Sequence, residues 1–271
     1  MGASLVAAVA VALATGGPAP AGTGILAIGD FGVGGKTERR MGAAVRDYEA
    51  RRPAAVLATL GDNDYTESPT AFLRNWRDAF GWLEAAGVAP AGSLGNHDVR
   101  VDGGRYEFEA LGMPRARYVR SLGDIDLFVL NSNRVNDKQT AWLRRRLAGS
   151  TARWKIAVFH HPAYTCGGYR GHPGVQSRWV PLFERYGVDL VLAGHDHNYQ
   201  RFRRWHGVRY VVHGGGGAEL YALEACPRGY PRRQFGRAAR GFLHLKVRDD
   251  AIIVRAITPR GTVLDRFTIY P

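Results

Sequence analysis

Several kinds of feature are missing from this sequence of 271 residues. No apolar run reaches the roughly 20 residues that a membrane-spanning helix needs, so no transmembrane anchor is expected. After residue 22 there is no internal repeat and no low-complexity tract, which argues against a solenoid and against domains joined by a linker. We therefore expect residues 23–271 to form one domain, because a chain of this length with 45% apolar residues can bury one sizeable core.

Lysine is also scarce. The 37 basic residues include only Lys36, Lys138, Lys155 and Lys246, and the net charge is +13. The excess of arginine reflects coding composition more than a phosphate-binding role, because no dense basic run occurs. The positive charge still predicts attraction to anions such as phosphate esters, polyphosphate and nucleic acid, although a charge that only keeps the protein in solution is an equal alternative.

There are two cysteines, Cys166 and Cys226, and both lie in loop-like sequence rich in glycine and proline. A disulfide between them in an oxidising compartment would close a long loop, but the sequence does not give their distance. Residues 3–14 form a short apolar run followed by a Gly/Pro/Ala segment, which is typical of a secretory signal. We expect residues 1–22 to be a signal peptide and the protein to be exported to the medium, periplasm or cell envelope. The run lacks a preceding basic residue, which leaves a cytoplasmic location as the alternative.

The periodicity of the chain indicates its fold. Short apolar runs that end in glycine-plus-polar turns predict buried strands at residues 24–28, 54–60, 89–94, 127–131, 154–159 and 188–193. Helical patterns occupy residues 37–51, 68–86, 137–147 and 175–186. Alternating stretches at 201–204, 208–213, 242–247, 251–257 and 263–270 indicate hairpins of a second, more antiparallel sheet. This order predicts an α/β fold, a four-layer α/β/β/α sandwich of two mixed sheets flanked by helices.

Five short segments each place an Asp, Asn or His directly after an apolar run. They are GDFG (29–32), GDNDY (61–65), GNHD (95–98), FHHP (159–162) and GHDH (194–197). We expect them to converge, because open α/β sheets carry their sites at the carboxyl ends of strands. Carboxylate, amide and imidazole groups suit a hard to borderline divalent or trivalent metal, and the adjacent glycines let the chain turn sharply. Each segment alone is weak evidence, since a single Gly-Asp is usually a turn.

Taken together, the five segments resemble the pattern of the purple acid phosphatases, a branch of the calcineurin-like metallophosphoesterases. The order Asp, Asp with Tyr three residues on, Asn-His, His and His-x-His agrees over roughly residues 25–200. The tyrosine that follows the second aspartate separates this branch from most other calcineurin-like enzymes. The resemblance implies a single catalytic domain that hydrolyses phosphate esters at a dinuclear metal centre.

The resemblance also implies a set of seven metal ligands. The first metal, Fe(III) because one ligand is a tyrosinate, would be held by Asp30, Tyr65 and His197. The second, Zn(II), Fe(II) or Mn(II), would be held by Asn96, His160 and His195. Asp62 would bridge the two metals and fix their separation at about 3.5–4 Å, so that they clamp a phosphate group and lower the pKa of a bound water.

Further residues carry implied catalytic or supporting roles. His97 is the candidate general acid that protonates the leaving alkoxide. Asp98 either orients His97 or is a surface or capping carboxylate. His161 and His172 are candidates for contact with the phosphate group. His160 is preferred to its neighbour His161 as the metal ligand, because family members place the ligand two residues before the proline.

The remaining loops add less. Residues 163–174 are glycine-rich and predict a long loop at the mouth of the site. Arg170 and Arg201 could add positive potential there, although a solvated surface charge is the favoured alternative for Arg170. HGGGGAELY (213–221) lacks the lysine of a nucleotide P-loop, so we interpret it as a close-packed loop near the metals. His206 and His244 are interpreted as structural.

The favoured function is acid-phosphatase-like hydrolysis of phosphate monoesters. A phosphodiesterase or nuclease with the same dinuclear site is the main alternative, because the metals can hydrolyse either ester and only the rim selects between them. In that case nucleic acid would be a substrate. A third reading is a basic polyanion-binding protein without catalysis, in which the aspartates and histidines are structural. The sequence does not determine the oligomeric state.

Overall fold

The structure is a computed structural model that describes residues 22–271. Residues 1–21, nearly all of the expected signal peptide, lie outside this described part. Between residues 22 and 271, no helix combines the length and the apolar character that crossing a bilayer requires.

Thirteen strands and six α-helices occur within residues 22–271. The strands are β1 (Thr23–Ile28), β2 (Val56–Thr59), β3 (Ala89–Ala91), β4 (Tyr118–Leu122), β5 (Ile125–Val129), β6 (Trp154–Val158), β7 (Leu190–Ala193), β8 (Tyr199–Phe202), β9 (Arg209–His213), β10 (Arg233–Arg237), β11 (Phe242–Val247), β12 (Ile252–Ile257) and β13 (Val263–Ile269). The helices are α1 (Gly35–Glu49), α2 (Pro69–Phe80), α3 (Trp82–Ala85), α4 (Asp137–Ala148), α5 (Pro173–Arg178) and α6 (Val180–Arg185).

The strands form two mixed sheets. The first has the order β13-β12-β11-β1-β2-β3, in which β1, β2 and β3 are parallel and the other neighbours pair antiparallel. The second has the order β10-β8-β9-β7-β6-β5-β4, with a parallel centre from β5 to β9 and antiparallel edges. In both sheets the metal-ligand motifs follow parallel strands along the chain.

The alternation of side chains along β1 shows how the layers form. Ile25 and Ala27 belong to the apolar cluster that lies between the two sheets, whereas Leu26 and Ile28 face the helices α1 and α2. Successive residues of a strand point to opposite faces, so one strand contributes to two layers. On the far side of the second sheet, α4 and α6 pack through residues such as Leu143 onto a third cluster. The result is the predicted four-layer α/β/β/α sandwich.

Two of the predicted helices are each divided into two. The pattern at residues 68–86 becomes α2 and α3, and the chain changes direction at Gly81. The pattern at residues 175–186 becomes α5 and α6, because Pro181 has no amide hydrogen for the helical bond and its ring restricts the residue before it. In contrast, α2 begins at its expected boundary, where the Ser68 side chain accepts a hydrogen bond from the Ala71 amide.

The prediction that all the late alternating stretches belong to a second, more antiparallel sheet is wrong. Strands β8, β9 and β10 extend the second sheet, while β11, β12 and β13 form one edge of the first. Each sheet therefore contains both early and late strands. The edge strands β4 and β10 were not predicted, because their half-exposed sequences show little alternation of apolar and polar residues.

Candidate metal centre

The five motifs meet at one edge of the sandwich. Asp30 follows β1 and Asp62 follows the parallel neighbour β2, while His160 and His195 follow the parallel strands β6 and β7 of the other sheet. Asn96 lies in the loop after β3. The carboxyl ends of strands from both sheets thus bring these side chains together, as the sequence predicts.

The backbone turns abruptly at three of these positions. Asp30, Asp62 and His195 adopt the left-handed conformation, with φ values of 58°, 52° and 71°. This conformation is uncommon outside glycine, although Asp and His tolerate it better than most residues. A Cβ atom at Gly95 would collide with the Asp62 carboxylate, and one at Gly194 would collide with that of Asp30. These two glycines are therefore required by the close approach of the carboxylates.

Three side chains form the first group of potential metal ligands. The Tyr65 hydroxyl is 3.4 Å from Asp30 Oδ1 and 3.2 Å from His197 Nε2, and His197 Nε2 is 3.3 Å from Asp30 Oδ1. Asp30 is fully buried, and burial raises its pKa. Burial and the nearby Asp30 carboxylate also raise the pKa of the Tyr65 phenol.

A second group surrounds the imidazole of His160. Its Nε2 atom is 3.1 Å from Asn96 Oδ1, 3.1 Å from His195 Nδ1 and 3.5 Å from Asp62 Oδ2. Although burial opposes ionisation of Asp62, the nearby His160 holds the pKa of that carboxyl well below its usual range. The two groups are adjacent, because potential ligand atoms of Asp30, Asp62 and His160 all lie within 4.8 Å of one another.

The donor geometry fits metal ions. Ligand atoms at about 2.0–2.2 Å from a common cation lie roughly 3 Å from each other, which matches the separations in both groups. His160 Nδ1 is 2.9 Å from Leu60 O, and His197 Nδ1 is 2.7 Å from Glu219 O. Because a carbonyl oxygen only accepts, these Nδ1 atoms carry hydrogens, which leaves Nε2 of each ring as the nitrogen that would bind a metal.

The three predicted catalytic histidines occupy different positions. His97 lines a cavity of about 370 Å³ above the two groups, lies against Tyr65 with ring centroids 4.3 Å apart and the rings tilted by 45°, and donates its backbone N–H to Asp62. Burial lowers the pKa of His97. His161 and His172 lie outside this cavity lining and continue the row of imidazoles from His195, at 4.5 Å from His195 to His161 and 5.6 Å from His161 to His172.

Both outer histidines have one ring nitrogen engaged. His161 Nδ1 is 2.9 Å from the hydroxyl oxygen of Ser132, and burial lowers the pKa of His161 to about 3, so it is neutral at ordinary pH. His172 Nδ1 accepts hydrogen bonds from the amides of Gly174 and Val175 and thereby caps α5. Its remaining nitrogen is the one free to meet a ligand.

Asp98 has neither of the roles expected for it. It is fully buried, and its two oxygens accept hydrogen bonds from the amides of Asn63, Asp64 and Gly95 at 2.6–3.0 Å. The Asn63 side-chain amide also donates to Asp98 and to Glu107. Asp98 therefore joins the loop that carries Asp62 to the loop that carries Asn96, and it is not on the surface. Nothing in the sequence pattern indicated this connection, because Asp98 and Glu107 lie 35 and 44 residues from Asn63 along the chain.

A second internal brace holds the loop at residues 131–134. Gln139 is buried; its side chain accepts from the Asn131 amide and donates to the carbonyl oxygens of Asn131 and Arg134 at 2.7–3.0 Å. This loop presents Ser132 to His161, and its Asn133 side chain donates to the carbonyl oxygens of residues 94 and 95 beside the metal-ligand loop. One glutamine thus supports two neighbours of the site.

Two tyrosines at the rim were not found from the sequence. Tyr169 stacks on His195 with centroids 4.1 Å apart, and Tyr221 stacks on His197 at 4.2 Å. Tyr169 lies in the long loop predicted at the mouth of the site, and a disulfide between Cys166 and the distant Cys226 tethers that loop. A lone tyrosine in a glycine-rich loop gives no signal of its own, so only the folded chain reveals these contacts.

Some of the remaining predictions are confirmed and one is wrong. The glycine-rich turn at 213–221 packs against the site, as predicted, since the Glu219 carbonyl accepts from His197. Arg201 does not reach the site: it forms an ion pair with Asp265 at 2.7 Å, so the prediction that it adds positive potential there is wrong. Arg170 is exposed. His206 pairs with Glu184 on the surface, and His244 is buried against an aromatic ring, which agrees with structural roles.

Comparison with known proteins identifies the family to which this chain belongs. Residues 20–199 match the family model described as calcineurin-like phosphoesterase. Tartrate-resistant acid phosphatase type 5 from rabbit (Oryctolagus cuniculus) is 29% identical over 131 residues, which cover 46% of this chain and 40% of that protein. The chain thus matches well under half of the length of this curated relative.

Solved structures agree on the fold. A purple acid phosphatase from yellow lupin (Lupinus luteus) seeds superposes with a TM-score of 0.78 at 18% identity, covering 93% of this chain and 55% of that one. GAP50, described as the anchor in the inner membrane complex of Plasmodium, superposes equally well, at 16% identity and with 93% and 89% coverage. Since a phosphatase and an anchor share this fold, the fold alone does not assign an activity. The family model shows that the chain belongs to the calcineurin-like phosphoesterase family, and the curated relatives support its purple acid phosphatase-like branch.

Proposed function

We propose that this protein hydrolyses phosphate monoesters at a dinuclear metal centre. The observation that supports the proposal is that seven side chains, from loops of both sheets, converge into two adjacent groups of ligand atoms. Within each group these atoms are about 3 Å apart. The likeness to tartrate-resistant acid phosphatase supports the choice of monoesters.

The two groups favour different metals. The first group contains a phenol and a carboxylate, which are hard oxygen ligands that suit Fe(III), and its members are Asp30, Tyr65 and His197. The second group contains two imidazoles and an amide, which suit Zn(II), Fe(II) or Mn(II), and its members are Asn96, His160 and His195. Asp62 lies between the groups and is assigned as the bridging ligand.

Two such cations would clamp the phosphate oxygens and lower the pKa of a bound water. The protein's own contribution is position and proton supply. His97 faces the same cavity and is assigned to donate a proton to the leaving oxygen, a role typically worth about 10²–10⁴ in rate. His161 and His172 continue the imidazole row from His195 and are assigned to contact with the phosphate group.

The main rival is a phosphodiesterase that uses the same centre. The cavity is bordered by Tyr169, which is 40% exposed, and no further lid is evident among residues 22–271, so the rim does not obviously exclude a second ester group. Turnover of p-nitrophenyl phosphate is expected to exceed that of bis-p-nitrophenyl phosphate. Faster cleavage of the diester would replace the monoesterase assignment with the phosphodiesterase.

Metal quantification paired with a panel of phosphate esters tests the proposal. We expect two metal ions per purified chain and turnover that is lost with chelator and restored with metal. Asp62→Asn removes the shared negative charge, so binding of both metals should weaken. Asp102→Asn, at an exposed carboxylate, is the matched control and should retain both metals.

The same measurement separates the remaining alternative. A basic polyanion-binding protein would bind nucleic acid in a salt-sensitive manner without any metal. A chain that contains no metal when purified under metal-replete conditions, and hydrolyses no ester, would support that alternative and refute the enzyme.

We also propose that the protein is exported. The apolar run at residues 3–14 and the disulfide between Cys166 and Cys226 support this, because disulfides persist mainly in oxidising compartments. Mass spectrometry of the cellular fractions would locate the protein and its N-terminus. Recovery of a chain with an intact N-terminus from the cytoplasm alone would contradict the proposal.

A further inference from the structure

Two cavities that share one lining residue, Arg117, make up a region that we name the basic track. The cavity nearer the metal-ligand loops, of about 660 Å³, contains the side chains of Arg105, Arg134 and Lys138 in its wall. The farther one, of about 430 Å³, contains those of Arg115, Arg145 and Arg146. Arg117 lines both cavities and so joins them.

The charges of the basic track are not neutralised by the protein. Within residues 22–271, none of its seven cationic side chains has a carboxylate within 4.0 Å, whereas Arg39, Arg100 and Arg178 elsewhere on the surface do. Only two acidic residues, Asp102 and Asp126, line the track. The Asp126 carboxylate already accepts hydrogen bonds from two serine hydroxyls. The track therefore carries a strong excess of positive charge.

Arg117 is held in place at the junction. Its guanidinium lies over the ring of Trp142, 5.6 Å from the ring centroid. Its Nε atom is buried and has no hydrogen-bond partner among the described residues. A buried donor without a partner is costly, so this nitrogen is suited to meet an acceptor that arrives with a ligand.

The near end of the track lies next to the loop that carries the metal-ligand candidate Asn96. Val99 in its wall lies three residues after Asn96. Asn133, also in its wall, donates hydrogen bonds to the carbonyl oxygens of Leu94 and Gly95. The loop of Asn96 and His97 is thus the boundary between the track and the cavity over the metals.

The chemistry of the track suits linked phosphates without bases. Single-stranded nucleic acids are held by cations together with free aromatic faces on which bases stack. The aromatic residues of the track are not free. Trp142 is covered by Arg117, Tyr118 is buried with its hydroxyl donating to a carbonyl oxygen, and Phe108 packs on an apolar cluster. Cationic side chains and uncharged polar ones, such as that of Asn136, remain to make contact.

We propose that the basic track binds linear inorganic polyphosphate and presents its terminal phosphate to the metal centre. This inference rests on the proposed function and names a substrate class for it. In the reaction, the oxygen of water bonds to the terminal phosphorus and the bond from that phosphorus to the bridging oxygen breaks. The chain leaves one phosphate shorter, orthophosphate is released, and the proton of water passes to solvent or to the new chain end.

The test compares a track variant with a matched control. Arg105→Gln, Arg134→Gln and Lys138→Gln, combined, remove three exposed charges from the near cavity. We expect the KM for long-chain polyphosphate to rise about tenfold, because each exposed charge contact contributes roughly a factor of two to three. The value of kcat/KM for p-nitrophenyl phosphate should stay within about twofold, since these residues lie outside the metal site.

The control removes the same charge elsewhere. Arg40→Gln, Arg77→Gln and Arg260→Gln, combined, lower the net charge equally at exposed positions away from the track. It should leave the KM for polyphosphate within about twofold. An equal rise of KM in the control and the track variant would show that general charge and not the track binds the chain, and would overturn the inference.

Chain length provides a second test. Arg145→Gln combined with Arg146→Gln alters only the far cavity. This double variant should therefore weaken the binding of long-chain polyphosphate and leave the binding of tripolyphosphate unchanged. Equal effects on both lengths would contradict a track. Single-stranded DNA of equal charge should compete less well than polyphosphate, and equal or tighter DNA binding would overturn the choice of ligand.

The outcomes for the two proposals are separable. If the wild-type enzyme turns over p-nitrophenyl phosphate but neither binds nor shortens polyphosphate, the track is refuted and the monoesterase stands. If the wild-type protein turns over no ester, the proposed function fails, and the track variant's effect on direct polyphosphate binding still decides whether the track binds that chain.

Discussion

Replacing Gln139 with leucine tests how far one internal brace supports the site. Leucine is close to glutamine in size, but it cannot make the three hydrogen bonds that hold Asn131 and Arg134. The variant leaves the Asn131 amide without a partner, while the carbonyl oxygens of Asn131 and Arg134 each lose one of two hydrogen bonds and keep a backbone donor. At about 1 kcal/mol for each lost hydrogen bond, we expect the free energy of unfolding to fall by about 3 kcal/mol.

Urea denaturation followed by tryptophan fluorescence measures this change. Both proteins should be compared in the presence of chelator, so that metal binding to the folded state does not contribute. A loss of about 3 kcal/mol corresponds to a decrease of roughly 6–12 °C in Tm for a chain of this size. The slope of the free energy against urea should not change, because the same surface is exposed on unfolding.

The functional consequence follows from the position of the braced loop. Gln139→Leu should also reduce kcat/KM for p-nitrophenyl phosphate, since Ser132 would hold His161 less firmly. Arg144→Leu on the exposed face of the same helix is the control and should change stability by no more than about 0.5 kcal/mol. A Gln139→Leu protein as stable as this control would refute the reasoning, because it would mean that the three hydrogen bonds contribute nothing net.

Four other changes test separate parts of the site. Tyr65→Phe should abolish the visible charge-transfer band of an iron-loaded protein, and a band that persists would remove the tyrosine from the metal. Cys166→Ser with Cys226→Ser removes a link between residues 60 apart, so the free energy of unfolding measured by denaturation should fall by about 4 kcal/mol. A variant as stable as the wild type would contradict this. Tyr169→Ala should lower kcat/KM for aryl phosphates about threefold or more, and more than for alkyl phosphates, because its ring provides a stacking surface. His97→Ala should leave the metal content intact and lower turnover by about 10²–10⁴, least for leaving groups that need no proton; loss of a metal would contradict this role.

The parts of the fold that the sequence predicted are those in which local pattern and tertiary packing agree. Buried strands such as β6 and β7 are uninterrupted apolar runs, and α4 coincides with the helical pattern at residues 137–147. In the structure the Asn136 side chain accepts from the Gln139 amide at the start of α4. The edges of the sheets were less predictable. Strand β10 is half exposed throughout, so its pairing with β8 is determined by the surrounding structure and not by its own periodicity.

The candidate site also has parts that the sequence predicted and parts that it did not. The ligand motifs were visible because each follows a strand and because their types form a family pattern. Asp98 and Tyr169 were not assigned correctly, because their partners lie far away in sequence, at Asn63 and His195. A single sequence gives the residue types at such positions, but it does not give distances between loops.

The left-handed turns at Asp30, Asp62 and His195 give a simple criterion for sorting relatives of this fold. Each turn costs a side-chain-bearing residue roughly 1–3 kcal/mol, a cost that glycine escapes and asparagine partly escapes. In a descendant that no longer needs the metals, nothing would offset that cost, and drift toward Gly or Asn at these positions would stabilise the chain. Retention of all three strained side chains therefore distinguishes a lineage still under selection for chemistry from one that has kept only the scaffold.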